Sequence, residues 1–123
     1  MKPENNHGIK RVIRATGFSM KGLKAAWQNE AAFRQELVLA IIMLPIAALL
    51  PVTLVEKLLL VACVFLVLIV ELVNSAIEAV VDRISDDIHP LSGRAKDIGS
   101  AAVFVALTLC GIVWGAVLIN AFM

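Results

Sequence analysis

The sequence contains no tyrosine, and aromatic residues make up only 6% of its 123 residues. The only two cysteines, Cys63 and Cys110, both lie inside apolar runs. This argues against a disulfide framework or a cysteine metal site, and we expect both to be small buried hydrophobic residues. The net charge of +1 gives no indication of nucleic-acid binding. The first eleven residues contain no apolar stretch, so no secretory signal peptide is expected.

Hydrophobic residues, in contrast, make up 60% of the chain, and the mean hydropathy is +0.89. Ordinary soluble domains are nearer half apolar. Here the apolar residues are concentrated in long runs with few charges, which is typical of transmembrane helices. A soluble domain this small would have difficulty burying so much apolar surface. We therefore expect an all-α membrane protein with a single domain, residues 1–123.

The pattern predicts an N-terminal amphipathic helix followed by three transmembrane helices. Residues 9–27 place apolar side chains on one helical face and basic side chains on the flank and the opposite face. Such a helix can lie on the membrane surface or, alternatively, pack on a partner protein. We expect the three spans over residues 30–50, 58–81 and 98–121, with a polar loop over residues 82–97.

Basic residues indicate how these spans are oriented. They are concentrated near the N-terminus and recur in residues 82–97, whereas only Lys57 marks the connection between the first two spans. The positive-inside rule places the basic segments in the cytoplasm. We therefore expect a cytoplasmic N-terminus and a cytoplasmic 82–97 loop, with the 51–57 turn and the C-terminus outside.

The second span carries polar residues along one helical face. Relative to Glu71, the side chains of Asn74, Ser75, Glu78 and Asp82 lie at about −60°, +40°, −20° and +20°. We call these five residues the polar stripe. A carboxylate inside a span costs roughly 2.5–3.5 kcal/mol, so the polar stripe should face a protein interior or a wet cavity. Intramembrane ionisable groups are candidate functional sites, and a structural hydrogen-bond cluster between helices is the alternative.

The depths of three carboxylates suit phosphoryl transfer to a lipid. Mg²⁺ prefers oxygen ligands and often takes one or two carboxylates together with substrate phosphates. Glu78 lies near the cytoplasmic end of the second span, and Glu30 lies at a comparable depth at the start of the first. Glu71 is about 10 Å deeper along the helix axis, where it can act as a general base on a lipid hydroxyl.

Phosphoryl transfer also needs positive charge to position the phosphates. Lys96 and Arg94 precede the third span, and Asp97 beside them can hold a second magnesium ion or orient Lys96. Arg11 and Arg14 on the first helix can cover phosphates. For each of these cations, anchoring in the lipid headgroups is the alternative role.

A function of another class is a small oligomeric proton-coupled transporter with Glu71 as the proton carrier. Such a pathway needs ionisable groups through the whole membrane. Residues 58–70 and the third span carry no charge. The distribution of charged residues therefore favours an enzyme whose site is reached from one side of the membrane.

Three stretches resemble the prokaryotic diacylglycerol kinase family: AAWQNEAAFRQE (25–36), ELVNSAIEAVVDR (71–83) and GRAKDIGSAA (93–102). The resemblance covers about residues 9–120. It implies a homotrimer in the bacterial cytoplasmic (inner) membrane, with active sites shared between subunits. It also implies transfer of the γ-phosphate of MgATP to diacylglycerol, giving phosphatidic acid. A relative of the same fold phosphorylates undecaprenol, which is the alternative, although residues 94–100 look more like the diacylglycerol enzymes.

The resemblance further implies roles for individual residues. Glu71 is the expected catalytic base, and Glu30 and Glu78 are the expected Mg²⁺ ligands. The expected ATP-binding residues are Arg11, Phe18, Glu30, Asn74, Glu78, Asp87, His89, Lys96 and Asp97. The expected lipid-binding residues are Arg11, Arg34, Gln35, Glu36, Glu71, Ser100 and Trp114. The partners are then ATP, diacylglycerol, the bilayer and further copies of the chain, and no nucleic acid.

Replacing Glu71 with Gln tests the base assignment. The amide cannot accept the hydroxyl proton, so we expect lipid phosphorylation to fall by roughly 100-fold or more. Folding and MgATP binding should persist because the side chain keeps its shape. Turnover in detergent micelles and nucleotide binding measure the two effects, and turnover like that of the wild type would contradict the assignment.

Overall fold

The computed structural model describes residues 7–84 and 88–123 and places almost all of them in four α-helices. The helices are α1 (Gly8–Asn29), α2 (Ala31–Leu49), α3 (Leu54–Ile84) and α4 (Pro90–Phe122). By length and composition, α2, α3 and α4 can each cross a membrane. The predictions of an all-α protein and of three helices able to cross a membrane are therefore confirmed.

The last two helices are longer than their apolar cores. α3 has 31 residues and α4 has 33, or about 46 Å and 50 Å at 1.5 Å per residue. A hydrocarbon layer of about 30 Å requires much less. The predicted loop over residues 82–97 was too long, because 82–84 and 90–97 are helical. The loop was predicted from where the apolar residues end. The backbone hydrogen bonds of a helix can continue beyond that point into water.

Capping residues explain where α3 and α4 begin. Thr53 Oγ1 accepts a hydrogen bond from the Glu56 backbone N–H, and Glu56 Oε1 accepts one from the Thr53 backbone N–H, each at 3.1 Å. This reciprocal pair is a capping box. At α4, the His89 Nδ1 accepts from the Leu91 N–H at 3.0 Å. Pro90 suits the first turn because its fixed φ is helical and it needs no acceptor there.

α3 is the central helix and packs on both α2 and α4, with α4 as its more extensive partner. The buried core joins small and large apolar residues of the three helices: Ala40, Ala47, Leu60, Cys63, Val64, Trp114 and Val117. The indole Nε1–H of Trp114 donates to the Leu60 carbonyl at 3.2 Å, which ties α4 to α3. Cys63 and Cys110 are free thiols 3.5 Å apart at this interface, in agreement with the predicted apolar role.

α1 contacts the rest of the chain mainly through its C-terminal end. Its one buried residue is Ala26. Large apolar side chains along α1 remain exposed, from 40% at Leu23 to 78% at Ile9. The Arg34 Nη1 donates to the Trp27 carbonyl at 2.7 Å, and this bond holds the corner between α1 and α2. Carbonyls at a helix end lack partners within the helix, so a cationic donor stabilises them.

Replacing Trp114 with Phe should destabilise the pairing of α3 and α4. The ring is kept, but the donor to Leu60 is lost, and hydrogen bonds between membrane helices are worth about 0.6–1.7 kcal/mol. We expect at least about 0.6 kcal/mol less free energy of unfolding in micelles. Trp27→Phe is the matched control, because its side chain is 44% exposed. Equal losses in the two variants would contradict the role of this hydrogen bond.

Candidate active site

The polar stripe of α3 is buried in the protein at the two residues farthest from the end of the helix, Glu71 and Asn74. Among the described residues, the buried polar side chains are those of Glu71, which is 5% exposed, and Asn74, which is 8% exposed. Ser75 and Glu78 are half-buried, and Asp82 at the end of the helix is exposed. The helical wheel therefore predicted correctly which face of α3 lies inward.

A groove of about 530 Å³ lies between α1 and α3 beside the polar stripe. Small residues of both helices keep it open, including Gly22 and Ala26 on α1 and Ala76 and Ala79 on α3. Glu30, at the corner between α1 and α2, also lines the groove. A space of this size, lined mostly by apolar groups with a few polar ones, is typical of a ligand site.

The corner between α1 and α2 adds a third carboxylate, Glu30, to the two glutamates of the polar stripe. The charges of Glu78 and Glu30 both act on Glu71. Glu78 is on α3, whereas Glu30 adopts an extended backbone between α1 and α2. Like charges repel one another, and a bound cation relieves the repulsion.

Two carboxylates are enough only for an ion that arrives with further ligands, such as phosphate. Within residues 7–84 and 88–123, no group of three or more His, Cys, Asp and Glu side chains can hold a metal. The described side chains therefore do not supply the ligands of a structural zinc site or of a calcium site. Mg²⁺ commonly takes only one or two carboxylates and completes its shell with phosphates and water. Glu30 and Glu78 stay the predicted ligands of such an ion.

Lys96 reaches the polar stripe from α4, and its partner is Asp82. The Nζ of Lys96 lies 2.6 Å from Oδ1 of Asp82, and Lys96 also interacts with the charge of Glu78. Asp97 is a predicted partner that orients Lys96, but Asp97 is exposed and the ion pair is made by Asp82. Asp82 had no predicted role, although its place on the polar stripe indicates that it faces the same site as Glu78.

The remaining predicted nucleotide residues lie on exposed surfaces. Arg11 and Phe18 are exposed on α1, and the Nζ of Lys21 lies 5.9 Å from the centre of the Phe18 ring. The exposed His89 caps the start of α4, a structural role that sequence analysis did not foresee. Asp87 lies outside the described residues.

The predicted lipid residues on α2 fall into two environments. Arg34 and Gln35 line an open cleft of about 500 Å³. Glu36 borders an apolar cavity of about 60 Å³, and its Oε2 is buried without a hydrogen-bond partner among the described residues. The charge of Glu71 acts on Glu36, so these two carboxylates belong to one region.

The two predicted lipid residues on α4 lie apart from each other. Ser100 is exposed, one residue after the buried Gly99. Trp114 is buried and bound to the Leu60 carbonyl. Leu60 precedes Glu71 by eleven residues, or about 16 Å along α3. Within the chain, Trp114 is therefore not brought to Glu71.

Comparison with known proteins identifies the family. A family model described as prokaryotic diacylglycerol kinase matches residues 17–118. The chain belongs to the prokaryotic diacylglycerol kinase family. The match contains every predicted site residue except Arg11. It confirms the resemblance noted in the sequence and the expectation that the protein is an enzyme, a kinase.

Named relatives in this family cover nearly the whole chain. A diacylglycerol kinase of Escherichia coli strain K12 is 56% identical over 110 residues, which cover 89% of this chain and 90% of the relative. A diacylglycerol kinase of Pseudomonas aeruginosa is 53% identical over 113 residues, 92% of each chain. One of Haemophilus influenzae is 51% identical over 111 residues, 90% of this chain and 94% of the relative.

Replacing Asp82 with Asn should slow phosphoryl transfer with little effect on folding. Lys96 loses its anchor, and a tenfold fall in turnover corresponds to about 1.4 kcal/mol of transition-state stabilisation. The ion pair is exposed, so the free energy of unfolding should change by less than about 1 kcal/mol. Turnover and thermal unfolding in micelles separate these effects.

Two variants control this experiment. Asp82→Glu keeps the charge and should retain most of the turnover, and Arg83→Gln changes an exposed neighbour outside the ion pair. Full turnover in Asp82→Asn, or an equal loss in Arg83→Gln, would show that Asp82 does not position Lys96.

Proposed function

We propose that this chain transfers the γ-phosphate of MgATP to the hydroxyl of diacylglycerol and so forms phosphatidic acid. The observation that carries the proposal is the burial of Glu71 inside α3 of a chain 56% identical to a diacylglycerol kinase. The relatives are named for diacylglycerol, which favours this lipid over undecaprenol as the acceptor.

Glu71 is the proposed general base. Its carboxylate accepts the proton of the lipid hydroxyl as the hydroxyl oxygen bonds to the γ-phosphorus. The bond from that phosphorus to the β–γ bridging oxygen breaks, and ADP leaves. Because Glu71 lies within a membrane-spanning helix, the apolar surroundings keep water from competing with the lipid hydroxyl.

Glu30 and Glu78 are the proposed magnesium ligands. Glu30 lines the groove at the α1–α2 corner, Glu78 lies on α3, and the charges of both act on Glu71. Mg²⁺ bound with ATP neutralises charge on the phosphates. The protein residues then set where the γ-phosphate lies relative to Glu71.

Lys96, Asn74 and Arg11 are the proposed donors to phosphate oxygens. Lys96 is held near Glu78 by its ion pair with Asp82, and charge-assisted hydrogen bonds from an ammonium to phosphate are strong. Asn74 lies between Glu71 and Glu78 on the inward face of α3. Phe18, His89, Asp87 and Asp97 complete the proposed nucleotide residues.

The lipid is proposed to reach Glu71 from the hydrocarbon side. Arg34, Gln35 and Glu36 on α2, with Ser100 on α4, are the proposed lipid contacts, and the cleft beside Arg34 and Gln35 supports this. Trp114 is too far along the helix to meet the reacting hydroxyl in the same chain, so any contact it makes is with an acyl chain or another subunit.

The exposed apolar surface supports a membrane-bound homotrimer. The apolar face of α1 suits the interface between headgroups and acyl chains. Large apolar side chains also remain exposed along α2, α3 and α4. We propose that lipid and two further copies of the chain cover them in the bacterial inner membrane, with the N-terminus and the α3–α4 connection in the cytoplasm, where ATP is available.

Lipid phosphorylation in micelles tests the proposed function. Purified protein is incubated with γ-labelled ATP and Mg²⁺, with diacylglycerol and undecaprenol supplied in parallel. We expect label in phosphatidic acid, and at least about 100-fold less when Glu71 is replaced with Gln. A strong preference for undecaprenol would replace the proposed acceptor, and no transfer to either lipid would refute the function.

Replacing Glu78 with Gln tests the magnesium site. One of two carboxylate ligands loses its charge, so we expect the half-saturating Mg²⁺ concentration to rise by about tenfold or more. Glu56→Gln is the control, because Glu56 lies in the capping box at the opposite end of α3. An unchanged magnesium titration in Glu78→Gln would contradict the assignment.

A further inference from the structure

α4 approaches α3 unusually closely at a single glycine. Gly99 is buried, and a Cβ added there would overlap Oδ1 of Asn74 and lie 3.3 Å from its Cγ. The other glycines of α4 behave differently: a Cβ at Gly93, Gly111 or Gly115 meets nothing within 4 Å. A side chain at residue 99 would therefore force the carboxamide of Asn74, a buried polar residue of α3, to move.

The contact joins a C–H bond of Gly99 to the side-chain oxygen of Asn74. An added Cβ takes the direction of a Cα hydrogen, so one C–H bond of Gly99 points at Oδ1 of Asn74. Such C–H···O contacts recur where helices pack closely. Among the described residues, Oδ1 is buried and has no conventional hydrogen-bond donor. An amide oxygen suits this position because it accepts, whereas an NH₂ group would direct its own hydrogens at the C–H.

The contact fixes which end of the Asn74 carboxamide is left for a ligand. With Oδ1 held against α4, the planar group directs its two Nδ2–H donors away from α4. Asn74 follows Glu71 by three residues and precedes Glu78 by four, so it lies between the proposed base and a proposed metal ligand. Phosphate oxygens are hydrogen-bond acceptors, so only the NH₂ end of the amide matches a phosphoryl group there.

We propose that Gly99 is a positioning residue for phosphoryl transfer, because its missing side chain lets α4 orient Asn74 with its amide donor toward the transferring phosphate. The proposal rests on the proposed function. A side chain at residue 99 would push the amide aside or turn it over. Lys96 lies three residues earlier on the same helix, so the close approach at Gly99 also brings Lys96 to Asp82.

Four variants test the proposal: Gly99→Ala, Asn74→Ser, the double variant, and Gly111→Ala as a matched control on the same helix. We expect Gly99→Ala to lower kcat by roughly 100-fold, the scale of a misplacement of about 1 Å. The KM for MgATP should stay within about threefold, since the lost bond acts in the transition state. Gly111→Ala should keep kcat within about twofold of the wild type.

The double variant separates positioning through Asn74 from general packing. A serine side chain is shorter and leaves room for the added methyl group. Adding Gly99→Ala to Asn74→Ser should therefore lower kcat by less than about threefold, because the two changes act on one contact. Thermal unfolding should follow the same pattern, with Gly99→Ala lowering the midpoint only when Asn74 is present.

Several results would overturn the proposal. Gly99→Ala could retain more than half of the wild-type kcat, or lower kcat and the unfolding midpoint equally with and without Asn74. If Gly99→Ala fails to fold, recovery of folded protein in the double variant supports the contact, and failure of both overturns it. A wild-type protein that phosphorylates no lipid would refute the proposed function instead, and the unfolding midpoints would still decide whether the contact exists.

Discussion

The carboxylate of Glu71 in the middle of α3 is the constraint on which the arrangement of the helices depends. An ionisable group inside a span costs roughly 2.5–3.5 kcal/mol if nothing compensates it. α3 is the central helix, and α4 covers part of its polar face where Gly99 lies against Asn74. The same constraint keeps the polar residues on one narrow face, because any other spacing would turn a second polar group to lipid.

The pairing of α3 with α4 brings residues of α4 beside the polar face of α3 and so completes the candidate active site. Near the start of α3, Trp114 binds the Leu60 carbonyl, and near its end Lys96 pairs with Asp82. These two contacts are separated by most of the membrane thickness and set one antiparallel register. Only in this register do a glycine and a cation of α4 arrive beside the inward face of α3.

Sequence patterns predicted the features that depend on the spacing of residues within one helix. The helical wheel placed Glu71 and Asn74 on the inward face, and the apolar runs located three spans. Patterns failed where hydrogen bonds between neighbours decide the outcome. The capping bond from the Leu91 N–H to His89 was not predicted, and Asp82 received no role because its partner, Lys96, is fourteen residues away on another helix.

Composition and periodicity thus determined the helical class, the three spans and the polar stripe, since each follows from burying apolar groups with a period of 3.6 residues. The tertiary structure alone decided which residues meet. Asp82 rather than Asp97 holds Lys96, Arg34 caps α1, and Gly99 lies against Asn74. The physical reason is that such contacts depend on the register and separation of two helices, which no single helix encodes in its own spacing.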